Sequence, residues 1–296
     1  MNHQTALAKQ RADINWLVES MVKMIRPIVR FAVGRVSCTA LVNLIREVYV
    51  EEAKEYLKRQ NPDRKVTRSA LALLCGMDSR AIAAFEDNAG KKYSPSDVSS
   101  QGYILEMWNK DEAFRDAETG GPAELLIHGP HGTFQRLVSR AAGRAVTPQT
   151  ALESLLESGN VLLNPEGTHV RLLNPIYKPI KDSEKTAIEA GSLAVNFLGK
   201  AIVHNTNRHS RNQPSWLQQD RWSYRIPCDR LPIVRSEIRE VLEKHIFEIE
   251  DHLEKEEKET DQGAECSVGI GWYYWEEKPQ LSAKSSKKEA PPPSQS

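Results

Sequence analysis

The sequence predicts a mostly α-helical protein with small β elements, in which tandem helix-turn-helix and winged-helix units precede a small α+β C-terminal region. Two observations carry this prediction. A glycine turn separates two short apolar-patterned helices near residues 66–85, and the order strand, helix, helix, hairpin spans residues 123–176. The expected divisions are an N-terminal amphipathic helix (1–25), a helix-turn-helix domain (26–95), a winged-helix domain (96–180), an α+β region (186–276) and a disordered tail (277–296).

Composition excludes several classes of protein. The 296 residues include only four cysteines, which lie far apart and form no Cys-x-x-Cys pair, so a disulfide scaffold and a zinc ribbon are not expected. Apolar runs stay below the ~18 residues that cross a bilayer, and the first residues do not resemble a secretory signal. A reducing cytoplasm is the expected location, without a membrane partner.

Charge is distributed in blocks, although the net charge is zero. Residues 26–92 contain 13 Lys or Arg against 8 Asp or Glu, and residues 200–239 contain 8 against 3. Residues 240–261 reverse this balance, with 3 basic against 10 acidic residues. Nucleic-acid binding would therefore depend on local basic surfaces rather than on overall charge.

The N-terminal segment has the apolar spacing of an amphipathic helix over residues 5–25. Its apolar face consists of Ile14, Leu17, Val18, Met21 and Ile25. Pro27 is expected to begin a new helical segment. A long helix to about Arg59 should then follow, capped by either Ser37 or Thr39.

The strongest local signal is a helix-turn-helix over residues 69–85. Ala72 supplies the small residue where two helices touch, and Gly76 supplies the turn. Apolar residues seat the second helix on the first: Leu71, Cys75, Met77, Ile82 and Phe85. The outward face of the second helix would then carry Asp78, Ser79, Arg80, Ala83 and Ala84.

This unit contains the first candidate DNA-binding residues. Arg80 could read a base, because arginine can bond guanine in bidentate fashion. Arg64, Lys65 and Arg68 lie just ahead and could hold phosphates, while Thr67 caps the first helix and Ser79 opens the second. The alternative is an ordinary three-helix core that does not contact DNA, since the outward face is rich in alanine.

A second candidate unit has the element order of a winged helix. Its second helix is expected to begin after Thr147, with Pro148 in the first turn, and the turn at residues 164–167 predicts a β-hairpin wing. Candidate DNA contacts here are Arg140, Arg144, Gln149, Thr150, His169 and Arg171. Glu153 and Glu157 share the outward helix face and would repel phosphate, so an architectural or protein-binding role is the alternative.

The C-terminal region is predicted to combine helices at 186–204 and 232–259 with strands at 221–226 and 268–275. Trp222, Tyr224 and Ile226 alternate with basic or polar residues, which suggests a strand with a buried aromatic face. Single-stranded nucleic-acid binding by the same aromatic and basic residues is the alternative.

A family resemblance rests on four stretches: Val33 to Ser37 with the helix that follows to Glu51, the helix-turn-helix at 66–85, Ile104 to Trp108, and Val268 to Tyr274. Together they resemble an uncharacterised bacterial family of unknown function whose members look like helix-turn-helix proteins. The resemblance implies a bacterial cytosolic protein and supplies no activity. The strand–helix–strand order of 221–275 is also similar to C-terminal regions of some winged-helix transcriptional regulators.

Signals for an enzyme, a cofactor or a metal are weak. The sequence lacks a phosphate-binding loop, and Gly269-x-Gly271 runs into aromatic residues rather than a helix. His128 and His131 suit a structural turn, and the spacing of His204 and His209 does not form a metal pair. We therefore expect a homodimeric regulator that binds double-stranded DNA, with a non-catalytic protein-interaction adaptor as the alternative. The sequence identifies no effector.

Overall fold

The computed structural model describes residues 3–277 apart from 89, 91, 144–145, 179, 208–213 and 258–265, and of residues 3–8 and 182 only the backbone. The predicted tail at 277–296 lies outside the described residues except for Glu277. The fold is mostly α-helical with a small three-stranded antiparallel sheet, which confirms the prediction of a mostly α fold with small β elements. The chain divides into two compact units, residues 1–185 and 186–296.

The first helix, α1 (His3–Ala32), is longer than predicted and continues through Pro27. The expectation that Pro27 begins a new segment was wrong. Proline lacks an N–H, so one backbone hydrogen bond is missing at this point, but the rest of the helical ladder is retained. The predicted boundary at residues 25–26 therefore lies inside one helix.

A tight turn connects α1 to α2 (Cys38–Gln60). Gly34 has a φ of 81°, and the backbone N–H of Val36 donates to the carbonyl of Ala32 at 2.9 Å. Ser37, one of the two predicted caps, accepts from the backbone N–H of Ala40 at 3.2 Å. The N–H of Ser37 itself donates to the carbonyl of Val98 at 2.7 Å, which attaches this turn to a later helix.

Arg35 makes a second attachment at the same turn. Its Nη2 lies 3.2 Å from Oε1 of Glu184, and Nη1 donates to the carbonyl of Phe31 at 3.0 Å. The guanidinium also lies over the Phe31 ring, 4.8 Å from its centroid. A hydrogen bond from the Lys181 backbone and the nearby Arg35 charge lower the pKa of the Glu184 carboxyl. Glu184 therefore remains charged at neutral pH.

Three helices form the first small core of the protein. Helix α2 packs against α3 (Arg68–Cys75) and α4 (Ser79–Asn88). Its fully buried residues are Val50, Ala53, Leu71 and Ile82. Leu57, Val66, Ala72, Cys75, Met77 and Phe85 pack around them. The predicted apolar seats are confirmed, and burial raises the pKa of the Cys75 thiol, as expected for a cysteine in apolar surroundings.

The serines and proline of residues 94–100 are typical of a linker, but this segment contains a short helix, α5 (Pro95–Val98). The Asp97 carboxylate accepts from the Ser94 backbone at 2.8 Å, so the serine and proline run is a helix start rather than a spacer. Helix α6 (Ser100–Lys110) follows directly. A Cβ at Gly102 would overlap the Pro95 carbonyl, and this close approach of α5 and α6 requires glycine.

The elements from α6 onward follow the order predicted for a winged helix. They are β1 (Leu125–Leu126), α7 (Phe134–Ala142), α8 (Pro148–Glu157), β2 (Val161–Leu163) and β3 (His169–Leu172). The antiparallel sheet has the order β1-β3-β2, with Val170 opposite both Leu125 and Leu163. The predicted hairpin is confirmed, and its turn closes through a bond from Gly167 N to Asn164 O at 3.0 Å.

The core of this unit is larger than that of the first. Trp108 is completely buried, its indole N–H donates to the carbonyl of Ala123 at 3.0 Å, and its ring lies 5.7 Å from that of Phe134. Buried Asn160 fixes the exit of the hairpin, since its amide donates to the carbonyls of Asn174 and Ile176. Asn160, which lies between α8 and β2, therefore connects the start of the hairpin to the segment that follows it.

The C-terminal unit is built on α9 (Lys185–Asn207) and α10 (Leu231–Glu256). The strands predicted at 221–226 and 268–275 are wrong, because neither segment has strand structure. A strand needs a neighbouring backbone for its hydrogen bonds. These segments are held by side chains instead, including Arg235 on Glu276 at 2.8 Å and Tyr273 on Asp220 at 2.6 Å.

The aromatic face predicted for residues 221–226 is not buried either. Trp222, Tyr224 and Ile226 are all exposed. Among the described residues of this unit, the small β elements of the predicted α+β region are therefore missing.

One described helix, α9, is long and apolar enough to cross a membrane by length and composition alone, with a mean hydropathy of 1.2 in its most apolar window. The sequence prediction that no segment is long and apolar enough to cross a bilayer counted only uninterrupted apolar runs, and it therefore missed α9. Helix α9 contains Glu189 and Lys200, which interrupt such a run.

The three-helix core gives a stability prediction with a matched control on the same helix. Leu71 is 1% exposed and Leu73 is 87% exposed. Leu71→Ala should lower the free energy of unfolding by about 2–5 kcal/mol, because it leaves a cavity beside Ile82. Leu73→Ala should change it by less than about 0.5 kcal/mol. Urea unfolding measures both, and equal losses would contradict the described packing.

Candidate nucleic-acid interface

The α3–turn–α4 unit is shaped by the backbone at Gly76. This residue has φ 62° and ψ 29°, a left-handed conformation that favours glycine. Its N–H and that of Met77 both donate to the carbonyl of Ala72 and so close the end of α3. The turn directs α4 across α3, with Ile82 buried and the opposite face of α4 exposed.

The start of α4 presents the main candidate side chain. Oδ1 of Asp78 accepts from the backbone N–H of Arg80 at 2.6 Å, which satisfies one of the free donors of the first turn. Ser79 and Arg80 are exposed, as predicted. The Arg80 guanidinium bonds to no described residue, so its five donors face solvent. Ala83, expected on the outward face, is half-buried.

Two further cations lie in the connection between α2 and α3. Arg64 and Lys65 are exposed, and neither side chain forms an ion pair with a described residue. Thr67 next to them caps α3 by accepting from the Ala70 backbone at 3.2 Å, so its hydroxyl is used inside the protein. Asp63, Asp78 and Asp87 are also exposed in this unit and reduce its positive potential.

Arg68 differs from the other predicted phosphate contacts because it has an internal partner. Its Nε donates to Oε2 of Glu86 on α4 at 2.8 Å, and Nζ of Lys54 lies 3.9 Å from the other oxygen. Glu86 thus holds α2, α3 and α4 together. The side chain of Arg68 is more than half exposed, so the pair is a surface ion pair, typically worth less than about 1 kcal/mol.

The α8 face of the winged-helix unit is acidic. Gln149, a predicted DNA contact, donates to the Glu153 carboxylate at 2.7 Å, and the hydroxyl of Thr150 bonds to that of Thr147 at 2.8 Å. Glu153 and Glu157 are exposed on the same helix. The side chains of Gln149 and Thr150 are therefore hydrogen-bonded to neighbouring residues of the same chain segment.

The predicted cations of the winged-helix unit differ in whether they have a partner within the protein. Arg140 pairs with Asp111 at 2.9 Å and lies 5.6 Å from the centroid of Phe114, so it serves the packing of α7. Nδ1 of His169 lies 2.9 Å from the Thr168 hydroxyl. Arg171 is exposed without a described partner, and Arg144 lies outside the described residues.

The predicted residues therefore form two groups rather than one surface. The first group belongs to the α2–α4 core and offers Arg64, Lys65 and Arg80. The second belongs to the winged-helix core and offers Arg171 on β3. Within the described residues, no group of three His, Cys, Asp or Glu side chains could hold a metal.

Sequence reasoning missed a groove between α8, β1 and the hairpin, with a volume of about 420 Å³. Its apolar lining consists of Leu126, Ile127, Leu152, Leu156 and Leu163. The polar side chains that line it are those of His128, Gln149, Glu153 and Thr168. Leu126 is 48% exposed, although it belongs to a strand. The only signal in the sequence was the continuous apolar run Leu125 to Ile127, which does not alternate as a half-buried strand should.

A comparison with protein-family models gives one finding. The model of DUF6502, described as a family of unknown function, matches residues 14–281 and so covers most of the chain. No curated protein matches the sequence. The match confirms the resemblance to an uncharacterised family. The chain belongs to the DUF6502 family, whose function is unknown.

Proposed function

We propose that this protein is a transcriptional regulator that binds double-stranded DNA through the α3–turn–α4 unit. The observation that supports this proposal is the placement of Arg80 in the first turn of α4, exposed and without a described partner. The recognition helix of a helix-turn-helix contacts base edges through its N-terminal residues. Arginine is the side chain best suited to guanine in the major groove.

Phosphate contacts would come from Arg64 and Lys65. Both precede α3, are exposed, and keep their charge free of described carboxylates. Arg68 is a weaker candidate because Glu86 already neutralises it. Arg64 and Lys65 would then position the protein on the duplex, and Arg80 would select the base sequence.

The active form would be a homodimer in the cytoplasm, without a cofactor. One helix-turn-helix reads only a few base pairs, and two copies on a palindromic site extend the sequence that is read.

A protein-interaction role is the second candidate, and the groove beside α8 favours it. Its apolar lining and the exposed carboxylates of Glu153 and Glu157 suit a partner segment that combines apolar and basic side chains. The same carboxylates disfavour a phosphate backbone. In this interpretation the α8 face binds protein, while α4 makes no DNA contact.

Salt dependence tests the phosphate contacts. Duplex binding should weaken linearly on a log–log plot, with a slope of about −0.9 for each phosphate neutralised. Lys65→Ala should reduce the magnitude of this slope by about 0.9 for each Lys65 in the complex. Lys244→Ala removes an equal charge from α10 and should leave the slope unchanged. Fluorescence anisotropy between ~50 and ~200 mM salt measures all three proteins, and no binding at the lower salt would contradict DNA binding.

Arg80→Ala tests base readout. It should cost about 1–3 kcal/mol on the specific site and much less on random duplex, because only a base contact depends on sequence. Arg239→Ala on α10 is the charge-matched control and should change neither affinity. Binding titrations on a site selected from a random library provide the comparison. Equal losses on both duplexes would reduce Arg80 to a phosphate contact.

The two candidate functions separate in a cell. If the protein is a DNA-binding regulator, complementing a deletion strain with the wild-type gene should restore the wild-type transcript levels. The Arg80→Ala variant should fail to restore these levels, while the Leu126→Glu variant should restore them. The adaptor role predicts the opposite pattern. Leu162→Glu is the matched control for the groove, since Leu162 and Leu126 are both 48% exposed but only Leu126 lines it.

A further inference from the structure

Helix α1 carries an apolar surface that no described part of its own unit, residues 1–185, covers. From Lys9 to Phe31 every side chain except that of Ser20 is exposed. Eleven large hydrophobic residues in this range are 38–68% exposed: Ile14, Trp16, Leu17, Val18, Met21, Val22, Met24, Ile25, Ile28, Val29 and Phe31. Helices in water are stabilised mainly by packing of an apolar face, so a helix of this kind needs a partner.

The apolar residues of α1 have the spacing of a coiled-coil seam. One row alternates steps of three and four residues, the pattern of positions a and d in a heptad: Ile14, Leu17, Met21, Met24, Ile28 and Phe31. Val18 and Ile25 flank it at position e, whereas Val22 and Val29 lie at position b, away from the seam. A heptad seam packs best against another helix with the same repeat, and a second α1 provides one.

The exposed area is sufficient for a stable pair. Eight large side chains face or flank the seam, at positions a, d and e. Each is about half exposed, so together they present on the order of 800 Å² if a fully exposed one offers ~200 Å². A standard protein interface buries about 800 Å² on each partner. Contact along α1 alone therefore reaches the size of a specific interface.

Charge on α1 favours an antiparallel pair. The second half of the seam carries Lys23, Arg26 and Arg30, whereas its first half carries Glu19, and Lys9, Arg11 and Asp13 precede it. In the heptad the three cations lie at positions c and f, outside the seam, so they act through the net charge of one helix end rather than through contacts. A parallel pair would place the three cations beside their own copies, and an antiparallel pair separates the two groups.

We propose that α1 pairs antiparallel with α1 of a second copy of this chain through the row from Ile14 to Phe31. Position a then faces position d: Ile14 lies against Phe31 of the second copy, Leu17 against Ile28, and Met21 against Met24 near the two-fold axis. This inference rests on the homodimer of the proposed function and identifies its interface.

Oligomeric state is the first test, measured on the full chain without DNA. Light scattering at micromolar concentration should give a mass near twice 33.4 kDa. Met21→Lys buries a charge in the seam and should raise the dissociation constant of the dimer at least about 10-fold. Asn15→Lys adds the same charge to an exposed position outside the seam and should leave it unchanged. A wild-type mass near 33.4 kDa overturns the proposal.

Cross-linking tests orientation and does not depend on a destabilising variant. In a chain whose four native cysteines are replaced, Ile14→Cys combined with Phe31→Cys should form a covalent dimer on oxidation. Ile14→Cys alone should not, because its counterpart lies at the far end of the antiparallel pair. Efficient cross-linking of the single variant overturns the antiparallel arrangement.

The inference and the proposed function fail separately. A dimer formed through α1 that does not bind duplex DNA leaves the interface standing and removes the regulator. DNA binding by a protein that stays monomeric at micromolar concentration contradicts the α1 dimer and leaves the DNA-binding function standing.

Discussion

The left-handed backbone at Gly76 is the constraint on which the proposed activity depends. It ends α3 and reverses the chain within three residues, so Ile82 of α4 reaches the core beside Leu71 of α3. Burial of Ile82 determines which face of α4 is exposed and therefore where Arg80 lies. A side chain with a Cβ would meet no neighbouring atom at position 76, but it would strain the backbone. Glycine is therefore favoured at position 76 by the backbone conformation and not by a lack of room for a side chain.

The two small cores contribute differently to function. The α2–α4 core leaves cations exposed around a short helix, whereas the larger winged-helix core leaves carboxylates and an apolar groove beside α8. Element order alone would assign α4 and α8 the same role. The side chains on their exposed faces favour different partners, since Arg80 has no described counter-charge and Gln149 is bonded to Glu153.

The sequence correctly predicted the helix caps and the turn, which depend on residues close together in the chain. Thr67 and Thr147 cap the helices that the sequence assigned to them, and Gly167 closes the expected hairpin. Prediction failed where long-range contacts decide. The alternation of Trp222 and Tyr224 is typical of a strand, but a strand also requires a partner that local sequence does not reveal. For the same reason, the sequence could not show that Glu86 neutralises Arg68 or that Arg140 pairs with Asp111.

The turn between α1 and α2 has two attachments that differ in physical kind. The bond from Ser37 to Val98 joins backbone groups, while the contact between Arg35 and Glu184 joins charges whose side chains are 31% and 39% exposed. Mobile ions screen the second attachment and leave the first unaffected. Rising ionic strength therefore relaxes the connection between this turn and the segment before α9, but it keeps α5 in place. Ionic strength therefore weakens the Arg35–Glu184 ion pair inside the protein as well as any phosphate contact made by Arg64 and Lys65.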